Sequence, residues 1–209
     1  MPDPTDDLPP VPQAPYETPA SRRRLWVLFA AAAAGTVAWY VLPRGDGSWA
    51  RLRANGGLRI GYAVDAPLAM VTPAGEVTGE APETARLVAE LLGVGRVDWV
   101  QVEPRDLLPG LKARRFDMIA ASPYPIAGGT TPLRLSSPTL RLPPGGTGNG
   151  PPREVAFAFH PDDAELQSRW NDAQAQVLGT PRHLAIIASF GFSAADLPPG
   201  NTAPASATP

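Results

Sequence analysis

The placement of proline constrains this chain more than any other feature. Of its 27 prolines, fifteen fall in three short stretches: seven in residues 1–24, four in 140–152 and four in 198–209. Proline fixes φ and removes a backbone donor, so such stretches suit neither helix interiors nor sheets. With almost no large aliphatic residues, they also bury too little apolar surface to offset chain entropy. The expected organisation is a disordered Pro-rich tail over 1–24, a Pro/Gly loop over 141–152 and a disordered tail over 199–209. The first tail suits a solvated spacer or, alternatively, a polyproline ligand. Whatever folds lies between these stretches.

Composition narrows the function classes. Eighteen Lys and Arg stand against 20 Asp and Glu, a net charge of −2, which excludes a strongly basic nucleic-acid binder. No nucleic-acid partner is expected. The absence of Cys excludes a disulfide scaffold, a thiolate zinc or iron–sulfur site and a Cys nucleophile. His160 and His183 are the only two His, a poor start for a metal site, and no cofactor is expected.

Residues 25–42 form an uncharged apolar run of 18 residues. As a helix it would be about 27 Å long, enough for a thin bilayer core. Trp26 stands near one end and Trp39 and Tyr40 near the other, as interfacial aromatics do. Arg22, Arg23 and Arg24 abut the start, and Arg44, Arg51 and Arg53 follow the end, diluted by Asp46. The run reads as a transmembrane helix with a cytoplasmic N-terminus, anchored in membrane lipid. A cleaved signal peptide ending near Ala32, Ala33 and Ala34 is the alternative, but the apolar run continues eight residues beyond them.

After an expected linker over 43–56, the hydrophobic pattern predicts strands over 58–64, 97–102 and 116–121. Helices are predicted over 82–92 and 105–115. Pro82 and Glu83 suit a helix start, and Gly93 a helix stop. A β-α-β-α-β order implies a parallel sheet with helices on its faces. Beyond the Pro/Gly loop, 154–159 alternates as a strand. Residues 162–178 read as a helix capped by Asp162 or Asp163, and Thr180-Pro181 starts another helix running to about Ser189.

Several ungapped motifs then stand in a recognisable order. The run GYAVDAPLAMVTPAGEVTGEAPETARLVAELLG is followed by DLLPGLKARRFDMIAASPYPI, SSPT and, late in the chain, GTPRHLA with FGF. They resemble lobe 1 of bacterial periplasmic solute-binding proteins of the polar amino-acid class. TGEAPETARLVAELLGV is most similar to the ectoine and hydroxyectoine type that serves ABC importers. The resemblance implies an α/β fold: one lobe of a type II periplasmic binding protein, with a mostly parallel sheet and helices on both faces, over 57–140 and 153–198. It implies a soluble lobe in the periplasm, held by a single pass through the bacterial inner membrane.

In that family the chain leaves lobe 1, builds a second lobe and returns. Here Thr139 and Glu154 are separated by fourteen residues, too few for a domain. The family's aromatic ligand positions fall on Leu68 and Met70. Its Thr-x-x-Arg turn, whose Arg clamps a ligand carboxylate, falls on Ile126 and Gly129, and Gly offers no guanidinium. Arg134 could replace that Arg only by another route. The cleft edge reads Ser122-Pro123-Tyr124-Pro125-Ile126, apolar and stiff, which leaves little for a small-molecule ligand to hold. With Tyr62, these positions make a vestigial ligand cleft or a partner surface.

Other chemistry is set aside. Asp162, Asp163 and Glu165 suit a helix cap better than a cation. The glycine-rich 145–150 stretch lacks a phosphate-loop ending. Ser136, Ser137 and Ser189 have no His/Asp partners in sequence context. The expected protein is not an enzyme but an accessory subunit of a larger membrane or periplasmic complex, such as a respiratory one. The alternative is a tethered solute-binding component of an amino-acid or ectoine-type ABC transporter or sensor.

Overall fold

The computed structural model describes residues 45–120, 133–143 and 153–199, all within the unit Gly45–Pro209. The anchor expected over 25–42, with Arg22–Arg24, Trp26, Trp39 and Tyr40, lies outside them. So do both tails, except Pro199. Among the described residues no helix is long and apolar enough to cross a membrane.

The sheet grows from β1 (Leu58–Tyr62), whose Leu58, Ile60 and Tyr62 are buried. β4 (Val97–Gln101) runs parallel to it, with Leu58 opposite Val97 and Tyr62 opposite Gln101. β5 (Met118–Ile119) runs parallel on its other side. Between β1 and β4 lie a small antiparallel hairpin, β2 (Met70–Val71) with β3 (Val77–Thr78), and the crossover helix α2 (Glu80–Leu91). The helix begins two residues before the expected start. Pro82 therefore sits in the first turn, where amides have no helical partner to lose.

A 3₁₀ turn (Pro104–Asp106) and helix α3 (Leu107–Lys112) replace the single helix expected over 105–115. The chain then turns at Arg114, whose φ is +57°. β9 (Ala158–Phe159) pairs antiparallel with β5, and β6 (Arg134–Leu135) antiparallel with β9. The order is β4-β1-β5-β9-β6. The sheet is thus mixed rather than mostly parallel, because the returning strand enters it against the direction of its neighbours.

The strand expected over 154–159 is two strands. β8 (Arg153–Val155) pairs with β7 (Leu140–Leu142), while β9 joins the main sheet. Ser136 sits at the break: its amide donates to Phe157 O (2.8 Å), and its hydroxyl accepts from Phe157 N (3.0 Å). The chain changes partners there and has to bend. Residues 141–142, expected in the Pro/Gly loop, belong to β7.

Adjacent strand residues serve two cores, as the pleat requires. Met118 and Phe159 join the larger cluster, with Val88, Trp170 and Ile187. Ile119 and Ala158 join a smaller one with Leu107, Leu111 and Phe116. The larger core is closed by α2, α4 (Ala164–Val177) and α5 (Pro181–Ser189), the smaller by α3. Helices therefore cover both faces. Thr180 caps α5 as its position predicts, its Oγ1 accepting from His183 N at 3.3 Å.

Gly61 and Gly110 are glycines of necessity. A Cβ on either would stand 2.6 Å from ring carbons of Phe116, which is fully buried. We expect Gly61→Ala to cost about 2–3 kcal/mol, the usual penalty for forcing extra volume into a packed core. A urea midpoint unchanged from wild type would show that the ring can move aside.

The 43–56 stretch expected as a linker carries helix α1 (Ser48–Ala54). Leu52 enters the core, and Arg51 reaches the buried carboxylate of Asp163 at 2.8 Å. Only one buried aliphatic residue marks this helix, too weak a period to read from sequence.

Candidate functional site

In open α/β sheets ligands gather at the carboxyl ends of the parallel strands. Here that edge is formed by the residues after β1, β4 and β5. Beyond Tyr62 the chain exposes Val64 (54%) and turns back at Asp65. The Asp65 amide donates to Ala69 O (2.7 Å), and the Ala69 amide returns to Asp65 O (2.9 Å). Val102 N donates to Tyr62 O (3.0 Å), setting Glu103 at the same edge. Ser122, Pro123, Tyr124, Ile126 and Gly129, expected at the cleft edge, lie outside the described residues.

The described positions of the expected cleft serve the core. Tyr62 is 3% exposed. It packs edge-on against Trp99 (6.0 Å, 84°) and donates its hydroxyl to Gln101 Oε1 at 3.2 Å; burial raises the phenol's pKa. Leu68 is also 3% exposed and belongs to the larger core. Met70 is half-buried in β2. The arm carrying Leu68 is pressed onto α2. Gly79, at φ +125°, lies so near that a Cβ would stand 2.6 Å from Leu68 O. Arg134 is committed elsewhere: its Nε donates to Pro161 O (2.6 Å) and its Nη1 reaches Gln167 Oε1 (3.4 Å).

Among the described residues a cavity of about 450 Å³ lies between α2 and α4, bordered by Leu87, Leu91, Val177 and Arg182. It contains no residue of the strand edge.

The N-terminus of α4 is held in an unexpected way. Asp163 stands at the cap position, but its side chain makes no capping bond. Its buried carboxylate accepts instead from Arg51 Nη2 (2.8 Å) and from Arg114 Nη1 (2.7 and 2.8 Å). The free helix amides are met by residues 118 and 119 positions away. Asp46 Oδ2 accepts from Glu165 N (2.9 Å), and Ser48 Oγ from Leu166 N (3.0 Å). The segment entering the lobe thus caps a helix near its end. By the β5–β9 register this clasp lies at the amino ends of the parallel strands, opposite the edge described above.

His183 is fully buried. Its Nδ1 accepts from Gly179 N (3.3 Å), its Nε2 has no partner, and burial pushes its pKa down to about 4. The folded state therefore holds a neutral ring that the unfolded chain protonates near 6.5. The stability this confers is complete above pH 6.5 and is lost as pH falls through about 4, on the order of 2–3 kcal/mol. We expect His183→Gln to flatten that acid limb in urea titrations. A variant curve parallel to wild type between pH 6.5 and 4 would contradict it.

The model of the bacterial extracellular solute-binding proteins, family 3, matches residues 58–178, more than half of the chain. The chain belongs to that family, covering only one lobe. The "Probable amino-acid ABC transporter periplasmic-binding protein y4tE" of Sinorhizobium fredii is 40% identical over 72 residues. That match takes in 34% of this chain and 24% of the relative, so the chain matches about a quarter of that relative's length.

Two solved structures show the fold. EhuB in complex with hydroxyectoine gives a TM-score of 0.58 at 20% identity, covering 72% of this chain and 94% of that one. The cysteine-binding protein from Campylobacter jejuni gives 0.57 at 15%, covering 68% and 92%.

Proposed function

We propose that this chain is a membrane-anchored periplasmic module that has given up solute capture and serves as a non-catalytic accessory subunit of a larger membrane complex, a respiratory one being a fitting case. The observation that carries the reading is the pairing of β7 with β8. Leu140 faces Val155, Arg141 faces Glu154 and Leu142 faces Arg153. Where the family resemblance puts the way out to a second lobe and back, these two strands have only residues 143–152 between them, too few for a domain. A ligand on the remaining edge would stay largely in water, whereas binding sites bury most of their ligand.

Under this reading 25–42 is a retained anchor crossing the inner membrane once. Residues 1–24 lie in the cytoplasm, and 57–140 with 153–198 form the periplasmic lobe. Under the same reading Ser122, Pro123, Tyr124, Ile126 and Gly129, an apolar stretch in sequence, belong to a partner surface. Family membership fits a role without catalysis. Chemical cross-linking in intact membranes followed by sizing in mild detergent tests the proposal. The expected result is a stable assembly containing this chain in fixed stoichiometry; a lone monomer would contradict it.

The alternative is a tethered solute-binding component of an ABC importer or sensor. It draws on the transporter assignment of the Sinorhizobium relative and on the hydroxyectoine bound by EhuB. In this reading Tyr124 and backbone groups would face a small zwitterion, Tyr62 being taken up by the core.

A further inference from the structure

Glu80 opens α2 and joins parts of the chain that are distant in sequence. Its amide donates to Pro67 O (3.2 Å), and the Ala81 amide donates to Leu68 O (3.0 Å). These bonds fasten the 65–71 arm, which bears Leu68 and Met70, to the helix start. The Glu80 carboxyl is fully buried. Its Oε1 accepts from Thr84 Oγ1 (3.2 Å), while the hydroxyl of Thr139, just before β7, donates to Val155 O (3.4 Å). Its Oε2 has no partner.

The charged and titratable groups of the neighbouring elements are engaged elsewhere: on α5, which packs on α2, Arg182 pairs with Glu90 (3.0 Å) and His183 Nδ1 accepts from Gly179 N (3.3 Å). On α2, Glu83 and Arg86 pair with each other (2.6 Å), and Thr78 donates to Glu83. Past Thr139, Arg141 pairs with Glu154 (3.1 Å). Asp196, in the 3₁₀ turn (Ala194–Asp196) that packs on β7, accepts from Ser193. Asp65 lies at the far end of the arm. Among the described residues no salt bridge reaches Glu80.

We propose that Glu80 is a proton-operated latch: while its carboxyl is protonated the 65–81 arm stays closed on the core, and loss of the proton releases the arm. An ionised Glu80 would leave Oε2 bare in an apolar core, where an uncompensated charge is costly. Burial accordingly raises the group from an ordinary value near 4.5 to about 7. The latch holds fully below about pH 4.5 and is lost as pH rises through about 7. From these two values the opening equilibrium grows roughly tenfold between pH 6 and 8. The proposal concerns the arm alone and stands whether the edge meets a solute or a protein.

Hydrogen exchange of the full-length protein in detergent, corrected for intrinsic rates, tests it. Peptides covering 65–81 are expected to lose roughly tenfold protection from pH 6 to pH 8, while those of α4 hold. Glu80→Gln is expected to show equal protection at both pH values. Equal protection in the wild type, or a pH response surviving in E80Q, would overturn the latch. Should E80Q fail to fold, Thr84→Val serves. It removes a hydroxyl that favours the ionised form, so it is expected to move the transition to higher pH. An unmoved transition would equally overturn the proposal.

Discussion

Trp170→Ala is expected to cost about 4–5 kcal/mol, the upper range for emptying a buried aromatic site. Trp170 is fully buried at the centre of the larger core. Phe157 meets it edge-on at 5.0 Å and Phe159 at 6.1 Å. These rings flank the point where the chain passes from the β7–β8 hairpin into the main sheet. The loss is polar as well as apolar. Trp170 Nε1 donates to Gln174 Oε1 (3.0 Å), and Gln174 Nε2 donates to Ser137 O (2.7 Å). Removing the indole leaves a buried amide oxygen without its donor, which adds its own penalty. Trp170→Phe keeps most of the volume and loses only the N–H, so about half that cost is expected. Since whole domains are held by about 5–15 kcal/mol, chemical denaturation should find W170A barely folded. A shift below about 1 kcal/mol would mean the core can collapse around the gap.

Asp163→Ala is expected to cost about 3 kcal/mol. Removing one partner of a buried ion pair usually costs 3–5 kcal/mol, roughly. The lower end applies because Arg51 and Arg114 each keep about a third of their side chains in water (38% and 33%) and can be solvated when released. The carboxylate ties three places together: α1 through Arg51, the turn after α3 through Arg114, and the start of α4. Asp163→Asn keeps the shape but sets an amide N–H₂ against a guanidinium, and most of the loss should remain. Thermal melts with α1 truncated provide a cross-check. If Asp163 acts through this clasp, D163A should cost less once residues 45–54 are gone, the Arg114 pair keeping the remainder.

The parts of this fold that were legible in the sequence are those with strong local signals. β1 lies in a largely apolar run bounded by Gly56-Gly57 and Asp65-Ala66-Pro67, and α5 carries Thr180-Pro181 at its start, so both stand close to where the pattern puts them. Less legible were the places where a distant partner decides. Asp163 has the residue type and position of a cap, yet two arginines 112 and 49 positions away outcompete the helix for it. Residues 45–54 show almost no apolar period, and they fold because they complete α4. The alternation over 154–159 is real, but sequence does not show that Ser136 divides it between two sheets.

The candidate edge was legible only as a location. Tyr62 and Leu68 are apolar residues beside the strand ends, and packing turns them inward. Nothing in a pattern of residue types distinguishes a ligand-facing aromatic from a core one. The buried Glu80 carries no sequence signal either, since a Glu in a first helical turn is ordinary.

The central claim is that a single lobe, with its exit to a second lobe zipped shut, no longer captures a solute. Titration calorimetry on the full-length protein in detergent tests it most directly, with arginine, cysteine, cystine, ectoine and hydroxyectoine as ligands. The account predicts no saturable heat up to millimolar concentration. Saturable micromolar binding of any one of them would contradict it and turn the lobe back into a receptor.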